Sequence, residues 1–526
     1  MPDSGWGADG TAADLGMRPA PNGLAFANTA DPERTFDAAD LIAMFGADGV
    51  CETATGPCVI RPEAQQWANT VAGAMVGGVC EGMAVLSLDR YIAGATPAST
   101  DLERSTTVER TIRRLFATQF LPQVISAAEA SRTRNLGEVA SDLEDRLGSQ
   151  AVPVTIGLYA NGLGHAVTPY AVERLDDGRA IVWVYDPNWP TADRFIEFDL
   201  ENDRWRFPYA NSDPTAAPGA DNPDAVWFGN GSDLDVVALD TREAPFVEPF
   251  LGAGGGRPQL AVTTSGRAWS MTKERTGATI ASPQSTPGDD NVRAVVRGGF
   301  GQTTMLADVA DDEPFTFSTT SPGRLAVTSG ERSLAVTFSG AGAATVETDS
   351  DQVLVRDVTG DVSVTLAAPG GVVSLDAQSE SRIALTRTPT GASEVRWSTG
   401  GDTSATVTLS GSRRDFVVSA DGAISEVATP EWPESVRTQR PLLESTPVAP
   451  ATTSTTTQPS ESTVPSPPTS RAPLPRPTTT QPPGTTEAPP PPSTSSTSPP
   501  ASTTTSSVTS TTKVTTPTTK PINGGR

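Results

Sequence analysis

Residues 162–190 read GLGHAVTPYAVERLDDGRAIVWVYDPNWP, and this stretch decides the fold. Two runs rich in β-branched and aromatic side chains, 165–172 and 181–185, flank Asp177-Gly178. Asp-Gly between such runs marks an antiparallel hairpin, because its residues accept the positive φ that a tight turn needs. Counted from that turn, His165 stands about 12 residues back and Asp186 about 8 forward. The two strand ends therefore come to one edge of the sheet. The runs 152–159 and 195–198, set off by NGLG and PNWP, read as neighbouring strands.

Upstream the period changes from two to 3.6. Met83 and Leu86, extended by Leu88, Tyr91 and Ile92, mark a helix over 81–92 with one buried side. Ile112, Leu115, Phe116, Phe120 and Ile125 mark a second over 108–130, broken near Pro122, and 136–147 reads as a third. The expected class is α+β: an irregular segment at 1–37, then a domain over 38–251 whose helical part precedes an antiparallel sheet.

Beyond GAGGGRP at 252–258, read as a linker, only short alternating strands recur. Leu334-Val336-Phe338, Val362-Val364-Leu366 and Val407-Leu409 are examples, with Gly, Asp and Ser turns between them. This predicts an all-β, sandwich-like domain over 258–430. It holds neither Cys nor His, so a spacer or a module meeting a cell-surface or polymer partner is expected. From 431 to 526 a tail follows, about two thirds Ser, Thr or Pro from Pro441 onward. Such a composition buries too little apolar surface to offset its ordering entropy and is expected to be disordered.

The chain of 526 residues carries 62 acidic against 38 basic side chains, a net charge of −24. Phosphate neutralisation needs clustered Lys and Arg, so no nucleic-acid partner is expected. No apolar run is long enough for a transmembrane helix. The start lacks the basic and apolar regions of a signal peptide. The Ser/Thr/Pro tail nonetheless resembles extracellular stalks, so a secreted or cell-surface protein is expected, with its leader missing or its start misplaced.

Chemistry is confined by scarcity: three Cys and one His. Cys51 and Cys58 share the loop CETATGPC and suit a disulfide in an oxidising compartment. That leaves Cys80, which follows Gly77-Gly78-Val79 at the start of a helix, where unpaired N–H groups favour a thiolate and the glycines admit another chain. His165 is the only imidazole available to it. Asp186 stands where it can accept from the second ring nitrogen and fix the tautomer, with Asn188 as an alternative orienter that supplies a hydrogen bond but no charge.

Cys at a helix start, a Gly-His-Ala-Val strand further on and a strand ending in Asp-Pro together resemble the papain-like cysteine peptidases. The similarity is greatest to the bacteriocin-processing, double-glycine branch, over roughly residues 38 to 250. The resemblance implies Cys80 as nucleophile, His165 as general base and acid, Asp186 as orienter, a peptide or protein substrate, and no metal or other cofactor. That branch carries Gln a few residues before the Cys as an oxyanion donor; here Ala74 and Met75 occupy that neighbourhood. Gln66 and Asn69 in PEAQQWANTVAGAM are the candidates to replace it. Three other readings use the same residues. A Cys₃His zinc site is disfavoured by the Cys-x₆-Cys spacing. A transglutaminase-like acyltransferase would share the triad. A catalytically inactive head on a stalk would keep the fold alone.

Overall fold

The computed structural model describes residues 10–149, 152–213, 215, 225–250, 259–287, 291–298, 302–309, 313–349, 352–400 and 403–438. Helices α1 (Pro19–Asn22), α2 (Ala38–Val50), α3 (Pro62–Met75), α4 (Cys80–Ile92), α5 (Thr106–Ala117), α6 (Pro122–Ser131) and α7 (Leu136–Ser149) come first. The helical pattern breaks at Pro122 as expected: Pro122 starts α6, since a residue without an N–H is tolerated at the first helical position. Ser105 caps α5 through the Val108 N–H, and Asp37 and Asp40 form a reciprocal capping box on α2. Helix α4 departs from the expected one-sided pattern. Cys80 through Leu88 are all buried, because α4 is central and packs against both α5 and the sheet.

The strands are β1 (Thr11–Asp14), β2 (Cys58–Val59), β3 (Val154–Ala160), β4 (Leu163–Arg174), β5 (Arg179–Tyr185), β6 (Arg194–Asp199), β7 (Arg204–Phe207), β8 (Trp227–Gly229) and β9 (Leu234–Ala238). The sheet runs β8-β7-β6-β5-β4-β3-β9, and β1 also pairs with β4. Strand β4 organises it by changing partners along its length: residues 163–167 pair with β3, and 168–174 with β5. The Asp177-Gly178 turn joins β4 to β5 with Gly178 at φ +78°, and the register sets Thr168 opposite Tyr185. The N-terminal stretch is not irregular throughout. β1 pairs Thr11 with Glu173 and Asp14 with Ala171, and Leu15, Met17 and Leu24 are buried in the same core.

From Gln259 onward the fold is all-β, in two sheets of nine and eight strands. Neighbouring strands are antiparallel except Gly371–Ala377 beside Arg414–Val418. The alternation that predicted these strands appears directly as burial: along Ser404–Leu409 every second side chain faces inward. Both sheets feed one core, Val336 and Leu366 from the first meeting Phe317 and Val355 from the second.

The helical and all-β halves belong to one compact unit within Met1–Pro450. Helix α3 packs on strands Gln259–Thr264, Arg332–Phe338 and Val362–Ala368. The linker expected at 252–258 lies outside the described residues, and so does the tail from 439 onward. Residues 431–438, expected to belong to that tail, are ordered: Glu431–Trp432 pairs with β2, and Glu434–Thr438 forms a 3₁₀ turn. Alternation is absent from so short a strand, so its register with β2 had no signal in the sequence. Among the described residues no single helix is long and apolar enough to cross a membrane.

Cys51 and Cys58 form a disulfide with Cα atoms 5.3 Å apart. The loop it closes grips the end of the all-β half: Arg437 donates to the Gly56 carbonyl at 2.7 Å and to Thr53 Oγ1 at 3.0 Å. Constraining so short a loop is worth about 2.5 kcal/mol by the chain-entropy account. Reduction should therefore lower the unfolding free energy by that order, read as a lower urea midpoint, and speed proteolysis around residues 431–438. A Cys51→Ser/Cys58→Ser variant should start from the lower stability and ignore reductant. An unchanged midpoint on reduction would contradict the role given to this loop.

Candidate active site

Helix α4 begins at Cys80, whose side chain is fully buried. No side chain caps this helix, which leaves its first N–H groups without a side-chain acceptor at the Cys80 end. Cys80 packs with Ala84, one turn on, and with Ala166 of β4, the neighbour of His165. Thr168 Oγ1 donates to the Ala84 carbonyl at 3.0 Å and pins β4 against the helix. The nucleophile candidate and the imidazole strand are thus held by one contact surface of small residues.

His165 and Asp186 meet as the hairpin arithmetic requires. Imidazole Nε2 lies 2.8 Å from Asp186 Oδ1, with both side chains fully buried. Asp186 Oδ1 also accepts the Asn188 N–H at 2.8 Å, which fixes the carboxylate plane. With Nε2 committed to Asp186, Nδ1 is the ring nitrogen left for proton exchange, and among the described residues it has no hydrogen-bond partner of good geometry. Aromatic rings wall off the imidazole: Phe207, Tyr209 and Trp227 lie 6.0, 5.2 and 6.5 Å away by centroid. Burial alone would discharge this imidazole. The Asp186 charge outweighs that, the Cys80 sulfur adds to it, and the His165 pKa is raised to about 10.

The thiol has a partner that no sequence pattern pointed to. Cys80 Sγ donates to the carbonyl oxygen of Arg297, 3.3 Å away, from the all-β half. Arg297 also bridges Gly164 in parallel, on the edge of β4 opposite β3. Its guanidinium is buried among carboxylates: Nη2 reaches both oxygens of Asp235 at 2.6 and 2.7 Å, Nη1 lies 2.9 Å from Glu81 Oε1, and Nε donates to Tyr159 Oη at 2.7 Å. Burial works against the Asp235 charge, but Arg297 and Arg132 outweigh it and hold that carboxyl below its ordinary value.

The structure pairs His165 with Asp186, buries Cys80 against Ala166 beside that pair, and leaves the other candidates apart. Asn188 does not replace Asp186: its N–H supports that carboxylate, and its side-chain oxygen accepts from Asn28 at 3.0 Å. Asn69 is exposed and accepts from Gln65. Gln66 is buried with Nε2 unmatched among the described residues. Among the described residues neither makes a hydrogen bond to Cys80 or His165. The amide that does meet the Cys80 loop is Asn28. Its Oδ1 accepts the Val79 N–H at 2.7 Å, and its Nδ2 donates to the Gly298 carbonyl at 3.2 Å. The available signals were Asn28 as an amide in an apolar context and Glu81 as an acid inside an apolar helix. The zinc alternative loses two of its ligands to the Cys51–Cys58 disulfide.

Comparison with protein-family models, curated proteins and solved structures finds no match. The site therefore rests on its own geometry. Because the chain has one His, its imidazole nitrogens give a single pair of NMR signals. They should titrate near pH 10 in the wild type and well lower in Asp186→Asn, where the counter-charge is gone. A folded pKa above the unfolded value near 6.5 contributes stability that is full below that pH and is lost as pH rises through about 10. Alkaline destabilisation should accordingly be smaller in Asp186→Asn. An unshifted titration in that variant would contradict the pairing.

Proposed function

We propose that the chain is a thiol-dependent hydrolase of peptide or amide bonds, working through Cys80, His165 and Asp186 in a papain-like arrangement. The observation that carries this reading is the His165 ring, bound through Nε2 to Asp186 and acted on by the Cys80 sulfur. In the first step the Cys80 sulfur attacks the acyl carbon as the thiolate, its proton having passed to His165 Nδ1. The imidazolium then gives that proton to the leaving amine, and a thioester remains. Water, deprotonated by His165, attacks the thioester; the acid leaves and the sulfur recovers its proton. Asp186 keeps the ring oriented and stabilises its charged form throughout. The Cys51–Cys58 disulfide supports an exported setting for this chemistry.

One observation favours a second reading, a head without turnover: Cys80 is fully buried and capped by the Arg297 carbonyl. The test is therefore run in the wild type and in Arg297→Ala, each with and without Cys80→Ala, on a peptide library and on amine incorporation into glutamine peptides. Cys80-dependent fragments in either background are the expected result. Asp186→Asn should lower that rate by about 10- to 10³-fold, less than in a serine triad because the nucleophile is intrinsically the stronger. Cross-linking without fragments would make the chain an acyltransferase. Identical behaviour with and without Cys80 in both backgrounds would remove the catalytic reading.

A further inference from the structure

The all-β half places one short stretch of its own backbone where a substrate of this site would lie. Residues 296–298 run along the open edge of β4, and each polar backbone group of Arg297 is met by the helical half. Its N–H donates to Gln119 Oε1 at 2.7 Å and its carbonyl accepts from Cys80 Sγ. The next carbonyl, that of Gly298, accepts from Asn28. The Gly298 N–H donates to the Val296 carbonyl at 3.2 Å, so the segment turns tightly at Arg297 and meets β4 at Gly164. What it shares with a bound peptide is one carbonyl held at the thiol and one side chain in a pocket.

The walls are shaped for this approach. A Cβ on Gly78 would stand 2.1 Å from the Gly298 carbonyl oxygen, and one on Gly157 would stand 2.3 Å from Arg297 Nε. The pocket is also complete without its guest. Glu81 pairs with the fully buried Arg242, and Asp235 pairs with Arg132 at 3.3 Å. Removing the Arg297 side chain thus leaves two anions facing two cations and no uncompensated charge, which distinguishes a receptacle from a structural ion pair. What the guest adds is a fork of charge-assisted bonds that only a guanidinium makes.

The pose is also an idle one. In a hydrogen bond from the thiol it is the carbonyl oxygen, not the carbon, that lies nearest the sulfur, whereas attack requires the carbon. A thiol can donate to that oxygen and a thiolate cannot, so the segment holds the proton on sulfur.

We propose that residues 296–298 are an internal occupant of the acyl-side cleft, and that the Glu81–Asp235–Tyr159 pocket holding Arg297 selects arginine as the residue whose carbonyl Cys80 attacks. This rests on the function proposed above, but its main readouts do not require turnover. In full-length Arg297→Ala, iodoacetamide should label Cys80 at least about tenfold faster than in the wild type. A peptidyl-arginyl chloromethyl ketone should outpace its leucyl counterpart by about 10- to 100-fold, as one or two charge-assisted hydrogen bonds provide. N-acetylarginine amide should raise the melting temperature of Arg297→Ala, slow its labelling, and leave the wild type unchanged.

Arg297→Gln, which keeps part of the stem and an amide donor, serves if the alanine variant does not fold. Failure of both to fold would make Arg297 a structural pin and overturn the proposal. So would a folded variant whose Cys80 stays as closed as in the wild type, or one that opens without preferring arginyl reagents. Opening with arginine preference but no turnover would instead leave this proposal standing and remove the hydrolase.

Discussion

The interaction that decides the state of the site is the burial of the Arg297 guanidinium against Asp235, Glu81 and Tyr159. A cation taken wholly out of water costs several kcal/mol unless it is paired in good geometry, and these partners lie on β9, α4 and β3. Meeting them requires the all-β half to dock on the open edge of β4. That docking puts a backbone carbonyl on the only free thiol of the chain. Packing, charge and the state of the nucleophile are therefore decided together. A change that loosens the guanidinium also uncovers the sulfur.

The second constraint is the change of partner along β4. Its first five residues pair with β3 and its later ones with β5, so past Thr168 and Tyr185 the two strands separate. His165 stands on one side of this fork and Asp186 on the other, close enough for a 2.8 Å hydrogen bond. Phe207, Tyr209 and Trp227 then cover the ring, and in that dry setting the Asp186 charge acts at full strength on the imidazole.

Much of this was legible in the sequence where a local period carried it. Alternation around Asp177-Gly178 specified the hairpin and hence the meeting of His165 with Asp186. The 3.6 spacing marked α4 to α7, and the loop CETATGPC indicated the disulfide. What was not legible has no local period. Arg297, Asp235 and Tyr159 come together from strands far apart in the chain, and a buried Arg in RAVVRGG looks like any polar break between strands. Gln66 and Asn69 were chosen for nearness in sequence to Cys80, while the amide that meets its loop, Asn28, arrives from more than fifty residues away. The N-terminal strand β1 and the pairing of Glu431–Trp432 with β2 were missed for the same reason. Strands of four and two residues leave too few positions to show alternation.

The central claim is that the cleft before Cys80 is filled by the chain's own residues 296–298. Amide hydrogen exchange at Arg297 tests it most directly, because that N–H is buried and bonded to Gln119. The account predicts that it exchanges as slowly as the interior amides of β4 and accelerates when Gln119 is replaced by Ala. Exchange at the rate of an open surface loop would contradict it.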